Sequence, residues 1–298
     1  MKLDFDIAGA RWTVTCAPDK APRTLAALAA HLPMALQLHT PKIAGSHIYW
    51  HAPFVEDVEG AVHVLDARPG AFIYWPVRQF LEITFAPLQA ETASVTVLGH
   101  LDGPVEGIAA LAARLRDGQG RGRFEGTLSL ADSHPFGKSP AAEPGVPAGI
   151  IEARRVLWAA CPADIAALTR SRAIMHPAGP VFMAESEARV LHETLWWVRE
   201  RLERDPAPML RYAAALALNK AAVRLRDFCH LSTSADALFA LEAALADETA
   251  ALAALVDQAI LTSGRIAAWI DLLIPWSDVN TGFRAALDGD AAPRAAAG

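Results

Sequence analysis

Apolar and polar positions alternate with a period of two through the first 131 residues. Leu3-Phe5-Ile7, Trp12-Val14-Cys16, Leu36-Leu38, Ile48-Trp50, Phe72-Tyr74, Leu81-Ile83-Phe85 and Val95-Val97 are short runs separated by Gly, Pro and Asp. Successive side chains of a strand point to opposite faces, so each run predicts a half-buried strand, at a spacing that suits a small barrel or sandwich. Two stretches break the alternation. Pro22–His31, with proline in its opening turn, and Val105–Arg116, with an Ile108-Leu111-Leu115 stripe, predict helices.

From Met183 the period becomes 3.6, and alanine and leucine dominate. Glu185–Arg204, Ala207–His230, Ala235–Leu261 and Gly264–Leu273 predict three long helices and a shorter one, broken at DPAP, LSTS and TSG. Asp205 and either Ser232 or Ser234 fit as N-caps, and the short connections imply antiparallel neighbours in a bundle. Between the two patterns lies a segment dense in proline and glycine, SHPFGKSPAAEPGVPAG and SRAIMHPAGP, around a short helical stretch Ile150–Ala160. Irregular segments this long are often functional, so it is expected to cover a site. The expected class is α+β: a β-barrel domain over 1–131, an interdomain segment over 132–182, a helical bundle over 183–287 and a frayed tail over 288–298.

Composition narrows the partners. A chain of 298 residues buries a core without staples, and its three cysteines, Cys16, Cys161 and Cys229, are too scattered for a disulfide framework. They read as structural thiols of a reducing compartment, so a cytoplasmic location is expected. No run approaches the roughly 18 apolar residues of a membrane span, and the opening MKLDFDIAGARW is interrupted by charge, so no membrane association is expected. Net charge of −6 and a pI near 5.9 argue against a nucleic-acid partner, which needs a basic stripe. The one basic cluster, RLRDGQGRGR, fits a solvated helix end that runs into a glycine turn.

Several chemistries lose their signatures. GQGRG at Gly118–Gly122 lacks the dinucleotide-binding spacing and leads into a strand pattern rather than a helix. Neither a phosphate-binding G-x-x-x-x-G-K-[ST] loop nor a G-x-S-x-G nucleophile elbow is present, and His192-Glu193 lacks the second histidine of H-E-x-x-H.

What remains is GSHIYWHAP at Gly45–Pro53, whose Ile-Tyr-Trp returns in GAFIYWP at Gly70–Pro76. On a strand, Ile48 and Trp50 face one way and His47, Tyr49 and His51 the other. Residues four apart on a strand are roughly 13 Å apart at about 3.3 Å per residue, too far for His47 and His51 to share a metal ion. No metal is expected. The face suits a small-molecule pocket, and equally the solvated side of an antiparallel sheet. His39 and Lys42 precede the strand. Gln79, Glu82 and Thr84 lie on RQFLEITF, where Glu82 and Thr84 share the face opposite Leu81 and Ile83, and Tyr74 and Phe72 make the second aromatic segment a wall. In the helical half His192, Trp196 and Arg199 recur at i, i+4, i+7, a stripe that would either close over a carboxylate or pack in the core.

The successions LPMALQLHTPKIAGSHIYWHAPF, RPGAFIYWPVRQFLEITF and ETASVTVLGHLDG resemble the bacterial cyclophilin-like small barrels over roughly residues 1–117. Followed by a helical bundle, the whole layout resembles the cucumopine and mikimopine synthase family. That resemblance implies an enzyme without cofactor that condenses L-histidine with 2-oxoglutarate: the amine and keto carbon form an imine, and the imidazole ring carbon closes on it in a Pictet–Spengler reaction. The substrates are then small molecules, an amino acid and a 2-oxo acid. Such chemistry needs an acid, a base and carboxylate holders. By residue type and motif position, His47 and His51 are assigned as proton shuttles, Tyr49 as a donor and Glu82 as the carboxylate that orients a base or pairs with the imidazolium. Lys42 leads the carboxylate holders, followed by Arg78, Arg172 and Arg199. The alternative is a non-catalytic module that binds a peptide or metabolite, and the bundle either caps the cleft or builds a homo-oligomer.

Overall fold

The computed structural model describes residues 1–42, 45–89, 92–131, 145–168 and 178–291, the side chains of 289–291 excepted. The chain starts with the hairpin β1 (Lys2–Ile7) and β2 (Ala10–Cys16), then α1 (Pro22–Ala29), β3 (Met34–Gln37), β4 (His47–His51) and the two-residue β5 (Val62–His63). It continues through β6 (Ala71–Trp75), β7 (Phe80–Thr84), β8 (Ser94–Leu101), α2 (Glu106–Gly118) and β9 (Glu125–Leu130). The helices α3 (Ala148–Ala159), α4 (Ala163–Leu168), α5 (Ala178–Arg199), α6 (Ala207–Asp227), α7 (Ser232–Leu245), α8 (Leu252–Leu273) and α9 (Trp276–Ala291) follow.

The strands form a sheet in the order β3-β9-β1-β2-β8-β6-β7-β4, with β5 beside β8 and every pair antiparallel. One bridge curls the two ends together. His39 N donates to Tyr49 O at 2.8 Å and Tyr49 N to His39 O at 3.1 Å, so the sheet is a nearly closed barrel. The alternation read from the sequence is the barrel's inside and outside: Leu3, Phe5, Ile7, Ile48, Trp50, Phe72, Leu81 and Ile83 fill one core with Leu25 and Leu28 of α1 and Ile108 and Leu111 of α2. Its centre is aromatic, Phe5 meeting Trp50 at 5.3 Å and Phe72 at 5.5 Å in edge-on contacts.

The helices form a second core, and α3 and α4 join it through Ile150, Leu157, Ile165 and Leu168. At its centre is α8, in which every residue from Gln258 to Leu272 is buried. That burial explains where the expected helix boundaries differ. The expected break at Thr262-Ser263-Gly264 lies inside α8, while the chain turns at Ala246–Ala251. Ser263 Oγ donates to the carbonyls of Ala259 and Ile260 at 2.8 and 3.2 Å, so its buried hydroxyl is satisfied within the helix. Gly264 is required by packing, since a Cβ there would lie 2.5 Å from Gln79 Oε1 and 2.9 Å from His192 Nδ1. The expected serine and aspartate caps are absent as well: Leu231 and Pro206 hold those positions, and Ser234 N donates instead to Asp164 Oδ2 of α4 at 3.0 Å. Helix α9 extends to Ala291, beyond the expected start of the tail at 288. None of the described helices is long and apolar enough to cross a membrane.

Candidate active site

All five residues of β4 are buried, which happens only because both faces of the strand are covered. Ile48 and Trp50 enter the barrel core, whereas His47, Tyr49 and His51 point outward and are covered by helices. Register extends this outer face across the sheet: Tyr49 pairs with Glu82, and Glu82 with Ile73, while Trp75 and His51 each pair with Phe80. The second Ile-Tyr-Trp is out of phase with the first. Tyr74 of β6 turns into the barrel core, where its hydroxyl accepts from Glu56 N at 3.1 Å and donates to Glu56 O at 3.3 Å. Tyr74 therefore does not reach the pocket expected for it; its neighbour Trp75 does.

Between the outer wall and helices α5, α8 and α9 is a cavity of about 410 Å³. It brings together four groups expected from the sequence, His47, Tyr49, Glu82 and Lys42, with Arg78 at its side. Gly45, at φ +138°, makes room for the His47 ring, because a Cβ there would lie 2.6 Å from Cε1. His47 Nε2 lies 3.7 Å from Glu82 Oε2, and Glu82 is fully buried. The Tyr49 ring is held flat, stacked on Phe80 at 4.1 Å and on His39 at 5.0 Å, with Lys42 Nζ 5.7 Å above its centre. Trp75 and Trp276 complete an aromatic lining.

Asp271, near the end of α8, organises the cationic side. Its Oδ2 accepts from His39 Nδ1 at 2.6 Å and from Lys42 Nζ at 2.9 Å, and its Oδ1 from Trp276 Nε1 at 3.1 Å. Burial would raise its carboxyl, but Lys42, His39 and Arg189 outweigh that and hold it well below the usual range. Arg189 of α5 also lines the cavity, its Nε donating to Glu185 Oε1 at 2.7 Å. The titratable groups are poised by desolvation. Burial, aided by Lys42, pulls His47 down to about 4, and burial pulls His39 to about 4 against the pull of Asp271. Both imidazoles are therefore neutral at pH 7. Burial pushes Tyr49 well above 10, so its hydroxyl keeps its proton, and pulls Lys42 below its ordinary value against Asp271.

The remaining expected residues lie elsewhere. His51 faces a second, smaller cavity, and its Nε2 lies 3.5 Å from Nη1 of Arg189, which lines the first. Gln79 is a strap: it sits at φ +57° after a 3₁₀ turn, and its Nε2 donates to Ala52 O at 2.7 Å. Thr84 Oγ1 donates to Arg68 O at 2.7 Å and accepts from Ala71 N at 3.1 Å, which fixes the turn before β6. His192 and Trp196 are buried where α5 meets its neighbours; burial pulls His192 down to about 3, and its Nδ1 faces Ile260 O at 3.3 Å. Arg199 is held between Asp57 and Asp257, so it ties a barrel loop to α8 rather than closing over a ligand. Arg78 reaches Glu193 Oε1 at 2.6 Å. Arg172 lies outside the described residues.

Asp271 and Arg189 were not legible as site residues. Asp271 left a trace, a carboxylate in the otherwise apolar stretch around Ile270 and Leu272, where a buried charge needs a partner. Arg189 left none, because Glu185 and Arg189 read as an ordinary i,i+4 surface pair. Among the described residues no three His, Cys, Asp or Glu side chains converge to hold a metal ion.

No protein-family model and no curated protein matches this chain. The solution structure of hypothetical protein AF2241 from Archaeoglobus fulgidus overlaps 44% of this chain and 95% of its own at 21% identity, with a TM-score of 0.34, too slight to bear on the fold. McbB, whose structure was determined in complex with tryptophan, superposes with a TM-score of 0.75 at 14% identity over 94% of this chain and 99% of its own. The chain, barrel and helices together, has the fold of McbB.

Proposed function

We propose that this protein is a cofactor-independent condensing enzyme of the Pictet–Spengler type, which joins an amino acid bearing a nucleophilic aromatic ring to a 2-oxo acid. The observation that carries this reading is the lining of the larger cavity. Three acids, Glu82, Glu185 and Asp271, alternate with three cations, Lys42, Arg78 and Arg189, over the rings of Tyr49, Trp75, Phe80 and Trp276. A zwitterion with an aromatic side chain matches that lining in charge and shape, and the volume lies within the range of about 300–1,000 Å³ typical of small-ligand sites. Tryptophan in McbB is such a zwitterion on the same fold.

The chemistry asks for groups that the cavity contains. The substrate amine forms a C–N bond to the keto carbon and water leaves, giving an imine that is protonated to an iminium. The ring carbon then bonds to the iminium carbon, the C=N electron pair moves to nitrogen, and the ring proton departs to restore aromaticity. Glu82 is the base for that proton and a counter-charge for the iminium, and neutral His47 relays the proton outward. Tyr49, protonated at neutral pH, donates to the keto oxygen as it leaves. Lys42 and Arg189 hold carboxylates, each already oriented by an acidic neighbour.

L-Histidine with 2-oxoglutarate is the proposed pair. Incubation of both with the purified protein, without nucleotide or added metal, is expected to yield a product equal to their sum less one water, faster than the spontaneous reaction. The same assay with tryptophan and with other oxo acids ranks the substrates. Equal rates with and without protein across the whole panel would sink the proposal, and thermal stabilisation by these ligands without turnover would favour a binding module.

A further inference from the structure

The second cavity, of about 230 Å³, lies where the ends of β3 and β4 meet α3 and α8, and it is lined by Met34, Gln37, His51, Trp158 and Arg265. The rings of Tyr49 and His51, 6.2 Å apart on one strand face, look into the two different cavities. Arg265 is only 3% exposed, yet it forms no ion pair among the described residues. Among the described residues its hydrogen bonds leave from Nη2, to Gln37 Oε1 at 2.7 Å and to Trp158 O at 3.2 Å, and its Nε has no acceptor. Its guanidinium lies 4.0 Å from the Trp269 ring and 4.9 Å from that of Trp158, and a second guanidinium, Arg123, lies 5.3 Å from Trp269.

A buried cation set among indoles, an amide and another cation lacks the counter-charge that such burial ordinarily demands. The stress is visible in its proton affinity, which burial pulls down to about 9. Asp271 does not relieve it, since its oxygens already take His39, Lys42 and Trp276. Buried His51 Nδ1, on the same cavity, also has no hydrogen-bond partner among the described residues. An uncompensated guanidinium and an imidazole nitrogen, each with an N atom that lacks a partner among the described residues, thus meet at one cavity. A guanidinium fork is shaped to receive a carboxylate.

We propose that this second cavity is a binding site for a small monocarboxylate, seated on Arg265 with its apolar body against Met34 and Trp158. The site is separate from the larger cavity and does not depend on the reaction proposed there.

Calorimetric titration with propionate, a monocarboxylate without the keto carbon or aromatic ring proposed for the larger cavity, tests it on four forms of the full chain: wild type, Arg265→Gln, Ala159→Trp and Lys42→Met. Ala159 is exposed at the rim of the second cavity, so the indole plugs it without entering the core. Lys42 lines the larger cavity and does not line the second. Saturable binding is expected in wild type and, within about threefold, in Lys42→Met, with a loss of at least about tenfold in Arg265→Gln and Ala159→Trp, the size of a lost charged hydrogen bond. Should Arg265→Gln fail to fold by circular dichroism, Ala159→Trp decides. The proposal is overturned if propionate does not bind wild type, if binding survives in Ala159→Trp or in folded Arg265→Gln, or if only Lys42→Met loses it.

Discussion

His39 and Asp271 are 232 positions apart in the chain, yet the Nδ1 of one donates to the Oδ2 of the other at 2.6 Å. His39 also closes the barrel through its backbone bridge to Tyr49, and its ring stacks on the Tyr49 ring at 5.0 Å. One histidine therefore joins barrel closure, the docking of α8 and the orientation of a pocket wall.

Removal of the acid strands its partners. Asp271→Ala leaves buried Lys42, among the described residues, with the Thr40 carbonyl as its hydrogen-bond acceptor, donated to at 2.7 Å, and the loss of one member of a buried ion pair costs about 3–5 kcal/mol. Urea unfolding followed by tryptophan fluorescence measures this. A loss under about 1 kcal/mol would mean that the docking of α8 does not depend on this ion pair.

Acid should loosen the fold through its buried histidines before Asp271 titrates. His39 and His47 stay neutral in the native state down to about 4 and His192 down to about 3, whereas in the unfolded chain they take up protons near 6.5. The unfolded state thus binds more protons between these values, so stability is full above about 6.5 and falls as pH drops towards 4. Asp271, held below its ordinary 3.8, adds a further loss only once pH falls below that value. Urea midpoints taken across this window should decline steadily. A flat profile would mean that the three imidazoles are solvated.

Glu82→Gln separates base from scaffold. The amide is isosteric with the carboxylate, so the fold and KM should hold while turnover falls by at least about 100-fold, the scale of a lost proton-transfer group. Turnover within about threefold of wild type would remove Glu82 from the mechanism.

Adjacent residues of β4 should respond in opposite ways. Trp50→Ala empties the centre of the barrel core and should cost about 3–5 kcal/mol. Tyr49→Phe keeps the stacked ring and should leave the unfolding midpoint in place while turnover drops. An active and stable Trp50→Ala would invert the assignment of the strand faces.

Gly264→Ala probes the close approach of α8 to α5. With its Cβ 2.5 Å from Gln79 Oε1, the variant must displace that strap or the His192 ring, at a cost of about 1–3 kcal/mol by thermal unfolding. An unchanged melting temperature would show that the contact yields freely.

The strand pattern was legible because alternation reports directly which face of a sheet is buried, and Ile48, Trp50, Leu81 and Ile83 all enter the barrel core as their spacing required. The helical half was less legible at α8. A helix buried on every side has no polar stripe to time its turns, so its small residues Thr262, Ser263 and Gly264 read as a break when they are a packing surface. The local order of His47, Tyr49 and His51 was likewise determined by the chain itself, through the two-residue repeat of a strand. Which cavity each would face was not. That depended on partners from distant segments: Glu82 across the sheet, Arg189 on α5, Asp271 on α8 and Trp276 on α9. The repeated Ile-Tyr-Trp shows the limit most plainly. Two identical tripeptides enter neighbouring parts of one barrel in opposite phase, so Tyr49 lines a cavity while Tyr74 is locked in the core. A tripeptide specifies alternation but not its phase; the register of each strand against its neighbours, set by the packing of the whole barrel, decides which side is inside.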